Sequence, residues 1–146
     1  MKRSVKGMVC SLLAFIMISN ILCTSASAAT YSSQYLNSYR ATVLPDSNGC
    51  VVISAHVTGL GYMDELGVKT IFLYESEDGR NFHQVVCYES TDYPFMMGSG
   101  ITFNKDLFRY YGKIGCYYYA SVYVYGGKDG VGDMRNYQTS VIRATA

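Results

Sequence analysis

The chain has 146 residues, 49% of them hydrophobic, with 12 basic and 11 acidic side chains, 15 tyrosines and no tryptophan. That length fits one domain with its own core, and a charge this close to balance, with no basic run after the first six residues, argues against nucleic acid as a partner.

The N-terminus carries Lys2, Arg3 and Lys6, then an apolar run from Met8 to Cys23, then Ala26-Ser27-Ala28-Ala29. A basic start, a short apolar stretch and small residues two apart are the pattern of a Sec signal peptide over 1–29, cut after Ala28 or Ala29. The run is short for a spanning helix, so no membrane insertion is expected once the signal is removed. Neither Cys10 nor Cys23 follows a small residue, which does not fit lipidation. No sorting motif or apolar tail follows Val141, so any wall attachment would be non-covalent. The expected product is secreted, about 117 residues long, with nine basic against eleven acidic residues.

A polar leader over 30–35 is followed by seven runs rich in Tyr, Val, Thr and Ile: 36–44, 50–58, 68–75, 82–89, 101–108, 116–125 and 135–143. Runs of this composition at regular spacing, without helical crossovers, predict an all-β domain over 36–146, a seven-stranded antiparallel sandwich. Pro45-Asp46-Ser47-Asn48-Gly49 and Glu77-Asp78-Gly79-Arg80-Asn81 supply turns. The segment 59–67 is read as one helical turn with Met63 and Leu66 closing the core, and 126–133, rich in glycine, as a long flexible loop that closes the last hairpin.

The sixth run, Cys-Tyr-Tyr-Tyr-Ala-Ser-Val-Tyr-Val-Tyr, carries the most specific signal. Period-2 alternation sends Tyr118, Ala120, Val122 and Val124 to the core and Tyr117, Tyr119, Ser121, Tyr123 and Tyr125 to the opposite face. If Ile71 and Leu73 face the core, Phe72 and Tyr74 join that outer face. Rings on alternate residues lie about 6.5 to 7 Å apart, a spacing suited to stacking on successive units of a flat ligand. The candidate ligand-binding set is therefore Tyr117, Tyr119, Tyr123, Tyr125, Phe72 and Tyr74, with 61–66 and 127–133 as secondary contacts. The competing reading is that the tyrosines only pair across strands and shield the backbone.

Around this strand the sequence Gly-Cys-Tyr-Tyr-Tyr-Ala-Ser-Val-Tyr-Val-Tyr-Gly-Gly-Lys-Asp-Gly-Val-Gly-Asp resembles the penultimate strand and last loop of fibronectin type III and immunoglobulin-like domains. That resemblance implies a Gly-x-x-Tyr corner in which Gly115, Cys116 and Tyr118 fill the family positions and the tyrosine hydroxyl bonds back to the preceding corner. Ile114 and Gly112 depart from the family's proline and leucine, and the second strand has no tryptophan. Val131-Gly132-Asp133 stands where some members show Arg-Gly-Asp, without the arginine. Through V-T-G-L-G-Y-M-D-E-L-G-V-K-T-I, Y-E-S-E-D-G-R-N-F and Y-A-S-V-Y-V-Y-G-G-K-D-G the chain is also similar to a family of small secreted proteins of Gram-positive bacteria, a domain of unknown function. That likeness implies export and a shared sandwich, and brings no activity.

Catalytic signals are sparse. His56 and His83 are isolated, and no H-E-x-x-H, G-x-S-x-G or C-x-x-C occurs. Asp64, Glu65, Glu75 and Glu77 on strand ends offer carboxylates for a hydrolase if two meet in one cleft. Asp129 and Asp133 lack the order of a calcium loop. No cofactor or metal is expected. Cys50, Cys87 and Cys116 leave an odd thiol after processing; Cys50 and Cys116 are the pair to consider, although alternation faces Cys50 outward and Cys116 inward, and three free thiols remain the alternative. The expected function is a non-enzymatic binding or interaction module for cell-surface glycan or protein. A small secreted hydrolase or lysin, or an inhibitor acting through its loops, are the alternatives.

Overall fold

The computed structural model describes residues 32–146, and Ser32–Ala146 form one compact unit. The signal peptide expected over 1–29 lies outside the described residues. Nine strands follow in chain order among the described residues: β1 (Leu36–Pro45), β2 (Cys50–Met63), β3 (Glu65–Ser76), β4 (His83–Glu89), β5 (Met97–Gly98), β6 (Ile101–Tyr111), β7 (Tyr117–Lys128), β8 (Val131–Gln138) and β9 (Ile142–Arg143). They build two antiparallel sheets, β1-β2-β6 and β4-β3-β7-β8, with β5 added to β3 and β9 to β7. The all-β sandwich read from the sequence is therefore the fold. Two of the nine strands are two-residue additions at sheet margins, and the last predicted run divides into β8 and β9.

The core follows from alternation on facing strands. Val51, Ile53, Ala55 and Val57 of β2 and Tyr118, Ala120, Val122 and Val124 of β7 are all at most 1% exposed. Burying a Val- or Ile-sized side chain contributes about 1.5 to 3 kcal/mol, so these two strands form the centre of each sheet. In β3 the phase changes: Leu66 and Val68 face inward, then Ile71 and Leu73. A register shift between Val68 and Thr70 accommodates Lys69 as the extra residue and lets both halves bury their apolar side chains.

Strand β6 is inverted. Its inward positions are Asn104, Asp106 and Phe108, while Phe103 and Leu107 are about half exposed on the outside. Asn104 is satisfied, donating from Nδ2 to Met96 O at 2.8 Å and Leu66 O at 3.3 Å. Asp106 is 3% exposed and its Oδ2 has no hydrogen-bond partner.

Two expectations are corrected. Residues 59–67 form no helical turn: β2 runs to Met63 and β3 begins at Glu65, although Met63 and Leu66 are buried as anticipated. The presumed flexible loop over 126–133 is a continuous hairpin in which β7 and β8 pair through Lys128↔Val131. Asp129 and Gly130, at φ 54° and 76°, make its two-residue turn, the left-handed pair that matches strand twist. Val131-Gly132-Asp133 consequently lies in a strand, and Asp133 is paired with Arg135 at 2.7 Å. Cys50, next to the inward Val51, is also buried, at 3% exposure, because the 112–116 corner and the C-terminal segment fold over the start of β2: Gly112 N donates to Gly49 O at 3.1 Å and Gly49 N to Thr145 O at 2.8 Å.

The other turns match their sequences. Asp46 Oδ1 accepts from Ser47 N at 2.8 Å and starts the short 3-10 turn Ser47–Gly49. In the β3–β4 turn Asp78 Oδ1 accepts from Ser76 Oγ, Arg80 N and Asn81 N at 2.7 to 2.8 Å. Those bonds, led by the backbone donors of Asn81 and Arg80, hold the Asp78 carboxyl far below the usual range. In the leader, Ser33 Oγ accepts from Leu36 N at 2.8 Å, and Tyr35 packs against the core.

Candidate functional site

Strand β7 presents its tyrosines as alternation requires. Tyr118, Ala120, Val122 and Val124 are buried, and Tyr117, Tyr119, Ser121, Tyr123 and Tyr125 sit half-buried on the outer face of the larger sheet. Phe72 and Tyr74 of β3 share that face, since Tyr74 is the register partner of Tyr119 and Phe72 of Ser121. All six predicted residues are therefore on one surface.

The rings shield one another. Tyr74 and Tyr119 stack with centroids 4.8 Å apart and planes 10° apart, and Phe82 meets Tyr119 edge-on at 4.9 Å. Phe72 meets Tyr123 edge-on at 5.9 Å. Cations bracket the row: Lys69 Nζ lies 4.8 Å from the Tyr125 ring centre, and the Arg143 guanidinium 5.6 Å from that of Tyr117. Both distances are in range for a cation on a π face. Asn136 Nδ2 donates to Ser121 Oγ at 2.7 Å in the middle of the row. The surface is an ordered ladder of rings with polar ends, and its rings are half covered by their own neighbours.

Phe82, Lys69 and Arg143 were not foreseen as parts of this face. Phe82 lies in the turn before β4, Lys69 projects because of the β3 bulge, and Arg143 arrives on β9; each depends on tertiary placement rather than on strand periodicity. The flanking segments differ from expectation too. Tyr62, 72% exposed, sits at the end of β2 rather than in a loop.

Beneath the face, the Tyr118 hydroxyl accepts from Lys113 N at 2.8 Å and donates to Glu75 Oε2 at 2.6 Å. The hydroxyl thus bonds back to the corner that precedes its own strand. Glu75 is 2% exposed and also receives Lys113 Nζ at 3.0 Å. Burial alone would raise its pKa, but the bonds from Tyr118 and Lys113 outweigh that and hold it below the ordinary glutamate value. Burial and the Glu75 bond push the Tyr118 phenol well above its usual value.

The four carboxylates considered for hydrolysis divide between the two ends of β3. Asp64 accepts Asp129 N at 2.7 Å and Glu65 pairs with Lys69 at 3.4 Å. Glu75 and Glu77 share Lys113 at 3.0 and 3.7 Å at the opposite end. Ten residues of strand between Glu65 and Glu75 separate the pairs by about 33 Å. His83 lies with Glu77, Asp78 and Asn81 around a shallow depression. His56 stands on the other sheet, 3.3 Å from Ser54 Oγ. No group of three His, Cys, Asp or Glu side chains gathers for a metal among the described residues.

Cys50, Cys87 and Cys116 are free thiols. Burial, then the charge of Glu75, raises Cys116, and burial with Glu89 and Asp92 raises Cys87, so neither is activated as a thiolate. No helix among the described residues is long and apolar enough to cross a membrane. Comparison of the chain with family models, curated proteins and solved structures finds no match.

Proposed function

We propose that the protein is an exported, non-enzymatic binding module of the Gram-positive cell surface, and that the outer face of β4-β3-β7-β8 contacts envelope glycan or another protein. The observation that carries this reading is the ring ladder itself: five aromatic side chains from β3, β7 and the turn before β4 lie on one face in fixed mutual geometry. Rings locked against each other lose little entropy on binding, and each buried ring contributes roughly 25 cal/mol per Å² of apolar area removed from water. Tyrosine hydroxyls, Ser121 and Asn136 would orient a ligand.

The fibronectin type III-like reading is supported by the division β1-β2-β6 against β4-β3-β7-β8 and by the Tyr118 hydroxyl bonded to the corner. Export is supported by the signal-like pattern over 1–29.

The test is retention of the purified protein on immobilised envelope polysaccharide and on envelope protein, for wild type and for Tyr119→Ser/Tyr123→Ser, with thermal unfolding of both. Loss of retention in a variant that still unfolds cooperatively supports the reading. Undiminished retention by the folded variant, or none by wild type on either support, overturns it.

A further inference from the structure

The smaller sheet has an outer face with a different chemistry. Arg40 of β1 pairs in register with His56 of β2, and His56 with Lys105 of β6, so one rung across the sheet carries three nitrogen bases. β1, β2 and β6 contain a single acidic residue, Asp106, and it points inward and is buried. Arg109, further along β6, reaches Asp46 at 3.7 Å, whereas neither Arg40 nor Lys105 has an ion pair among the described residues. This unneutralised positive face belongs to a domain in which acids outnumber bases eleven to nine over 32–146.

Beside the rung is an open hollow of about 400 Å³ lined by Ser38, Tyr39, Arg40, His56, Thr58 and Phe103. Phe103 is 50% exposed, and its ring centre lies 6.0 Å from that of His56 at a 58° tilt. The ring lies on the outward side of β6, half in water, and is not there to fill the core.

We propose that this hollow binds an acidic carbohydrate, a carboxylate-bearing pyranose unit of an oligosaccharide, with Arg40 facing the carboxylate, Lys105 adding positive charge from the far end of the rung, Phe103 against the C–H face of the ring, and the Ser38 and Thr58 hydroxyls on its hydroxyl groups. A guanidinium suits a carboxylate because its paired donors match two oxygens. A single exposed ring flanked by hydroxyls suits a pyranose better than an extended peptide, which would need free backbone partners. The site stands apart from the tyrosine ladder, on the opposite sheet, and does not depend on the reading given for it. His56 faces Arg40 from β1, Lys105 and Phe103 from β6, and Ser54 on its own strand. Burial, then Lys105 and Arg40, hold its pKa below 6.5, so it is neutral at pH 7 and adds a third positive charge as the medium is acidified.

Titration of the purified protein with a hexuronate trisaccharide, followed by calorimetry and amide chemical shifts, tests the assignment. The neutral hexose trisaccharide, inorganic phosphate and a short poly-glutamate peptide serve as comparison ligands. The expected result is binding of the hexuronate with shifts at 38–40, 56–58 and 103–105, at least tenfold weaker binding of the neutral sugar, and tightening as the pH is lowered below 6.5. Arg40→Gln and Phe103→Ser, both at exposed positions, should each weaken binding at least tenfold with unfolding unchanged, while Tyr123→Ser leaves it intact. No hexuronate binding, equal binding of the neutral sugar, unaltered binding by the folded Arg40→Gln variant, or phosphate or peptide binding as tightly would overturn the proposal.

Discussion

The Tyr118 hydroxyl donates to Glu75 Oε2 at 2.6 Å inside the sandwich, while the same oxygen accepts the backbone N–H of Lys113 at 2.8 Å. One phenol thus joins β7, β3 and the corner before β7, and a buried carboxylate is neutralised from the surface by the Lys113 ammonium at 3.0 Å. Tyr118→Phe removes the shared atom and leaves Glu75 buried with one partner fewer. The expected cost is about 1 to 3 kcal/mol, measured as a shift of the denaturant midpoint at constant slope.

The same node sets the acid limb of stability. Glu75 has a lowered pKa in the folded state, so it contributes stability above its unfolded value of 4.5, and that contribution is lost as pH falls through the folded value. Tyr118→Phe should raise the Glu75 pKa and bring acid unfolding on at higher pH, and Glu75→Gln should flatten the slope below pH 4.5. Carboxyl-carbon titration by NMR reads the first effect and stability against pH the second; an unchanged Glu75 titration in Tyr118→Phe would contradict the account.

Asp106 acts with the opposite sign. It sits between Asn104 and Phe108 with Oδ2 unpartnered, and desolvation raises its pKa from 3.8 to about 7. The folded chain holds this proton between those values and the unfolded chain does not, so stability falls as pH rises from 3.8 to about 7 and then levels. The rise corresponds to a penalty on the order of 4 kcal/mol at pH 8. Asp106→Leu should remove most of it and abolish this part of the pH slope, and Asp106→Asn should abolish the slope with a smaller gain. If Asp106→Asn keeps the same slope between pH 4 and 7, the carboxyl is not its source.

Two glycines are expected to be intolerant for different reasons. Gly130, φ 76°, closes the β7–β8 hairpin with open space where a Cβ would go, so Gly130→Ala carries the left-handed cost alone, about 1 kcal/mol. Gly67, φ 153°, is crowded as well: a Cβ there would collide with the Met96 carbonyl and the Asn104 amide. Gly67→Ala should therefore cost several times more and disrupt the β3–β5 contact, with slowed exchange at β5 lost while the β2 core amides stay protected.

Where one face of a strand is apolar, the sequence was enough to orient it, and β2 and β7 show this: their inward and outward sets follow from period 2 alone. The tyrosine face, with Phe72 and Tyr74 alongside, was readable for the same reason. Glycine-rich composition obscured how tightly the β7–β8 hairpin closes, although Asp129-Gly130 is itself a two-residue turn signal. β6 was opaque in another way, because Asn104 and Asp106 occupy inward positions and Phe103 and Leu107 outward ones, so alternation gives the wrong side. Glu75 is a milder case: it continues the inward series Ile71, Leu73, and only its partners Tyr118 and Lys113, distant in the chain, explain why a carboxylate is tolerated there. Lys69 and Arg143 reach the tyrosine rings through a bulge and a two-residue strand, features with no local signature.

The ring ladder should also have unequal energetics along its length. Tyr119 is held on two sides, by the Tyr74 stack at 4.8 Å and the Phe82 edge at 4.9 Å, whereas Tyr123 has one ring neighbour, Phe72, at 5.9 Å. Aromatic pairs contribute about 0.5 to 1.5 kcal/mol each beyond area burial, so Tyr119→Ala should destabilise by about 1 kcal/mol more than Tyr123→Ala. A double-mutant cycle on Tyr74 and Tyr119 should give a coupling energy of about 1 kcal/mol, and one on Tyr74 and Tyr123 a value near zero. Equal losses at Tyr119 and Tyr123, with no coupling between Tyr74 and Tyr119, would mean the rings are loose on the sheet and not a preorganised surface. The outcome bears on binding, because only rings already fixed in place meet a ligand without a further entropic cost.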